Sequence, residues 1–104
     1  EILGKARIYA KLGHVDKALI NVDMAIPILQ LRASPAFHIK AIIMEQKGDL
    51  ASAMLNIDLA LALEEDNYLH YKDWRDCESI LNCEQEISKL RIEKSRMLQN
   101  SFFR

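Results

Sequence analysis

The sequence is poor in residues that interrupt helices. Three Gly and two Pro in 104 residues leave few places for turns. The bulk is Ala, Leu, Ile, Glu and Lys, which lose little rotamer freedom in a helical backbone, so an all-α chain is expected. Cysteine is equally sparse. Cys77 and Cys83 are too few for a disulfide framework and have no second pair in metal-ligand spacing, so they read as free thiols in a reducing, cytoplasmic-type compartment. No charge predominates: 14 Lys and Arg stand against 15 Asp and Glu. General polyanion binding needs an excess of cations, so this balance argues against nucleic acid as a partner. No apolar stretch nears the roughly 20 residues that span a bilayer, and no basic-then-apolar segment opens the chain, so no membrane association is expected.

Reaction signatures are also missing. The sequence holds no Gly-rich phosphate loop, no His-Glu-x-x-His and no Gly-x-Ser-x-Gly elbow. His14, His38 and His70 lie far apart, and two cysteines six residues apart on one helix would point about 120° away from each other. The reading is therefore non-enzymatic, with no catalytic residue, metal or cofactor. At this length the chain buries one modest core. A helical pattern is already under way at Ile2, with no initiator Met before it, which suggests a piece of a longer protein.

What is present is self-similarity. Shifted by 35, Ala18 to Ile26 overlays Ala53 to Leu61, with Asn21 over Asn56, Asp23 over Asp58 and Ala25 over Ala60. Lys5, Ala6 and Gly13 fall on Lys40, Ala41 and Gly48 in the same register. A fixed period of this size marks stacked supersecondary units, none of which buries its apolar face alone. Each copy reads as two helices joined at its Gly, which tolerates the backbone conformation that ends one helix and starts the next. Ser34-Pro35 reads as a capped helix start. Helices are expected near 2–12, 15–31, 35–47 and 50–64, with a bend where Pro27 removes a backbone donor. Ala18 and Ala25, like Ala53 and Ala60, lie about two turns apart on one face, where small side chains allow close helix approach.

These positions resemble the tetratricopeptide repeat. Ala6, Tyr9, Gly13, Ala18, Val22 and Ala25 match in the first copy, and Phe37, Ala41, Met44, Gly48, Ala53, Ile57 and Ala60 in the second. The resemblance implies an α-α superhelix, here with units at 2–34 and 35–67 and a degenerate third repeat or capping helix at 68–99. It also implies a protein-interaction or scaffolding module whose first helices line a concave groove for a partner peptide or helix. By position it picks out Leu3, Arg7 and Ala10, with Lys11 beside them, in the first unit and His38, Ile42 and Glu45 in the second. Other proteins are the implied partners, without their identity. A period of 35 is also that of pentatricopeptide arrays, which bind single-stranded RNA. Those arrays usually carry a large residue where Ala25 and Ala60 stand, so RNA binding is the alternative.

Past residue 65 the pattern divides. Trp74, Cys77 and Leu81 imitate another first helix, and Ser88 and Ser95 continue the small-residue register by a further 35, but the two registers disagree by two residues. The stripe Cys77, Ile80, Cys83, Ile87, Leu90 and Met97 instead suits one uninterrupted helix. Acids gather before residue 87 and bases after it, with Glu86-Lys89 and Glu93-Arg96 spaced for ion pairs. The basic stretch from Lys89 to Arg96 is a second candidate contact, toward an acidic partner surface.

Overall fold

The computed structural model describes residues 3–73 and 77–102, apart from the side chains at 31, 73 and 100–102. Among the described residues there are five α-helices and no strand: α1 (Gly4–Lys11), α2 (Val15–Leu29), α3 (Ser34–Lys47), α4 (Leu50–Asp73) and α5 (Cys77–Phe102), with one 3₁₀ turn, Gln30–Arg32, between α2 and α3. Each helix packs chiefly on its neighbours in sequence. The Cα extents, 41 × 32 × 17 Å, are those of a slab.

The two hairpin turns are alike bond for bond. Gly13 and Gly48 have φ of +83° and +86°, the left-handed conformation that costs a side-chain-bearing residue most. Gly13 N–H donates to Ala10 and His14 N–H to Tyr9. At residues 35 further on, Gly48 N–H donates to Glu45 and Asp49 N–H to Met44. These bonds satisfy carbonyls that the ending helix leaves without amides.

The paired small residues set the packing. Ala6, Ala18, Ala25, Ala41, Ala53 and Ala60 are all buried, as are the larger Val22 and Ile57 between them. Without side-chain bulk at the Ala positions, helix axes approach closely and the intervening Val or Ile fills the seam. One core cluster joins α1, α2 and α3 around Val22, Ile39 and Ile43; a second joins α3, α4 and α5 around Ile57, Leu90 and Met97.

Several expectations need correction. Ser34 does not cap α3: Ala33 holds the cap position without a side-chain bond, and the Ser34 hydroxyl donates to the buried carboxylate of Glu64. The hydroxyl proton goes to the carboxylate, a charge-assisted bond. Helix α2 runs through Pro27 as its expected span does, but ends at Leu29 rather than 31, where Gln30 takes a φ of +50°. Helix α4 runs to Asp73, well past 64, so residue 68 lies inside it. Helix α5 then passes Cys83 without a break. Ser88 and Ser95 are exposed rather than packed as a third small-residue pair. In their place Cys83, Leu90 and Met97, seven residues apart, face the core. Trp74 lies outside the described residues.

Candidate partner-binding groove

Helices α1 and α3 present side chains into two adjoining hollows. The smaller, about 160 Å³, is an apolar slot between Ala10, Ile39 and Ile42, rimmed by Arg7, Lys11 and Gln46. The larger, about 340 Å³, shares Arg7, Ile39 and Ile42 and extends over Pro35 and His38 to Glu86 of α5. The slot therefore has apolar walls and a basic rim on the α1 side, while an acid from α5 closes the far side of its neighbour.

Of the residues picked out by position, Arg7, Ala10, Lys11, His38 and Ile42 come together here. Leu3 does not line either hollow. It is 5 % exposed and packs into the first core cluster, because α1 turns Leu3, Ala6 and Ala10 inward at helical spacing. Glu45 lies on the same helix as His38 and Ile42, but its carboxylate takes the Arg96 guanidinium of α5 through Nη1 at 3.0 Å and Nη2 at 2.6 Å. Reasoning from position missed Ile39 and Gln46, each one residue beyond an expected position, which is a rotation of about 100° around the helix. The burial of Ala36, Ala41 and Ile43 sets that rotation. Glu86 comes from α5 and leaves no local signal in α1 or α3.

His38 faces the larger hollow half-buried. Its Nε2 is enclosed without a hydrogen-bond partner. Burial lowers its pKa below the ordinary value, opposed in part by the nearby carboxylates of Glu93 and Glu86, with Arg7 and Arg96 adding to the lowering.

The basic stretch of α5 is paired within the molecule. Lys89 meets Glu86 at 3.3 Å, Arg91 meets Glu65 at 3.8 Å, Lys94 meets Asp58 at 2.7 Å, and Arg96 bridges Glu45 and Glu93. The two spacings expected to pair along the helix do so, Arg91 and Lys94 tie α5 to α4, and Arg96 also ties it to α3. A partner reaching this stretch would have to displace those carboxylates.

A third hollow, about 360 Å³, opens where the start of α3 meets α4 and α5, and Glu64 lines it. Glu64 is 8 % exposed and accepts from the Ser34 hydroxyl and the Cys83 thiol. Burial, and then the charge of Glu64, push the Cys83 thiol up to about 11, which suppresses the reactive thiolate. Among the described residues no group of three His, Cys, Asp or Glu is placed to hold a metal ion, and no helix is long and apolar enough to cross a membrane.

Comparison of the chain with protein-family models, characterised proteins and solved structures gives no significant match.

Proposed function

We propose that this chain is a non-catalytic protein-interaction module, built as tetratricopeptide-like hairpins of an α-α superhelix, that holds a partner peptide or helix across α1 and α3. The observation that carries this reading is the apolar slot between Ala10, Ile39 and Ile42 with Arg7 and Lys11 at its rim. An apolar side chain entering the slot leaves water, while an acidic neighbour on the same peptide meets the two cations at the edge. The first step supplies affinity and the second orientation. The repeated Ala positions and the paired Gly turns support the superhelical part of the reading.

Selection of displayed peptides on the whole chain tests it. Enriched sequences should place a large apolar residue next to Asp or Glu, and their binding should fall at least tenfold for Arg7→Glu combined with Ile42→Asp. Arg7 is exposed and Ile42 only partly buried, so the melting temperature of that double variant should fall far less than its binding does. Ala60→Leu, which overpacks a fully buried position, should instead lower binding and melting together. Selected peptides that bind the groove variant unchanged would rule the reading out.

A further inference from the structure

The two hairpins are covered unequally. Lys40, Ile43 and Lys47 follow one another along one face of α3, and α2 covers that face antiparallel. Lys40 pairs with Asp23 at 2.7 Å, Ile43 is fully buried in the cluster that contains Val22, and Lys47 meets Asp16 at 3.6 Å. Moved back by 35, the same three positions are Lys5, Ile8 and Leu12 on α1. Two of the three residues are identical to their counterparts, yet Ile8 is 59 % and Leu12 is 66 % exposed, and Lys5 is exposed as well. The spacings of three and four put the trio on one helical face. A second pair in the molecule repeats the arrangement. Asp58, which is 35 residues beyond Asp23, holds Lys94 of α5 at 2.7 Å. In both cases an Asp on the second helix of a hairpin grips a Lys on the helix that follows.

We propose that the Lys5, Ile8, Leu12 face of α1 receives an antiparallel partner helix. That helix carries a carboxylate opposite Lys5, a seam of small and branched apolar residues opposite Ile8, and an apolar residue opposite Leu12. The chemistry is read from the way α2 covers α3, with one change. Where α2 offers Asp16, itself 89 % exposed, to Lys47, an apolar side chain on the partner suits the position best, because Leu12 replaces the cation and leaves a carboxylate nothing to pair with. The required helix therefore has an apolar residue and an acid seven positions apart, as α2 has residues 16 and 23. This surface shares no residue with the slot between α1 and α3.

The probe is a fluorescent peptide with the sequence of residues 15–32 and Asp16→Leu, held helical by a side-chain crosslink outside the seam and titrated into the whole chain. Saturable binding is expected, weaker by at least fivefold for the peptide that keeps Asp16. It should be weaker by at least fivefold when the peptide carries Asp23→Lys or the chain carries Lys5→Glu, and recovered when those two changes are combined. Ile8→Asp in the chain should abolish binding, while circular dichroism shows its helices intact. The proposal fails if the peptide does not bind. It fails equally if binding ignores Ile8→Asp or the charge exchange, which would mean that the peptide has displaced α2 from α3. Sedimentation of the chain alone supplies the remaining arm: self-association that disappears in Ile8→Asp would give this face to a second copy and overturn the assignment.

Discussion

Arg96 of α5 grips Glu45 of α3 with both terminal nitrogens of its guanidinium, and its Nε also donates to Glu93 at 2.9 Å. One side chain thus ties the far part of α5 to the end of α3. It also removes Glu45 from the surface a partner can use.

Arg96→Ala should loosen that part of α5. Glu45 is mostly shielded while Arg96 is 43 % exposed, so solvent screens part of the attraction, and a loss of about 0.5–1 kcal/mol is expected. Arg96→Lys should recover only part of it, because an ammonium lacks the two-pronged geometry. Urea melts of the three proteins, compared at low and high salt, measure both effects; identical midpoints would show that the bridge is ornamental.

Gly48→Ala and Gln30→Gly should shift stability in opposite directions. A Cβ on Gly48 meets nothing within 4 Å, so its cost is that of φ +86° alone, about 1 kcal/mol. Gln30 holds φ +50° and ψ −113°, where a side chain is strained and glycine is not. Thermal melts should show Gly48→Ala destabilised and Gln30→Gly at or above the original midpoint. A clear loss of stability in Gln30→Gly would mean that its side chain contributes more than its backbone strain costs.

His38 makes the fold sensitive to mild acid. Folding lowers its pKa from the ordinary 6.5, chiefly by burial, so the unfolded chain binds the proton more readily. The contribution is fully present above 6.5 and is lost as the pH falls through the lower folded value. Between pH 7.5 and 5.5 the original protein should therefore lose more stability than His38→Leu. Equal slopes for the two proteins would exclude His38 as the cause.

The two thiols should differ in reactivity. Cys77 is exposed, whereas Cys83 is buried beside Glu64 with its pKa pushed up to about 11. At pH 8 Cys83 is held almost wholly as the unreactive thiol. A colorimetric thiol titration should count one fast group in the native protein and a second only in denaturant. Two fast groups without denaturant would show that α5 does not stay packed on α4.

What could be read from the residues was whatever depends on local backbone chemistry and short periods. Gly13 and Gly48 marked the turns because their backbone conformation is costly for other residues, and the Ala18/Ala25 and Ala53/Ala60 pairs marked buried faces because their spacing matches two helical turns. What could not be read depends on where α5 lies. Asp23 pairs with Lys40 across 17 residues, but Asp58 pairs with Lys94 across 36. The longer α4 moves the equivalent lysine out of the 35-residue register, so Ser88 and Ser95 fall on the exposed side. The same displacement brings Glu86 to the hollow that His38 lines and Arg96 to Glu45, neighbours without trace in the sequence of α3. Ser34 belongs with these, since the acceptor of its hydroxyl, Glu64, lies 30 residues away on another helix.

The groove itself is tested most directly by a nitrogen-15 correlation titration of the whole chain with a selected peptide. The expected result is that the largest amide shifts cluster at Arg7, Ala10, Lys11, Ile39, Ile42 and Gln46 and saturate together, while α2 stays still. Shifts that cluster on the outer surface of α2 and α4, or along Lys89 to Arg96, with the α1–α3 slot unmoved, would contradict it.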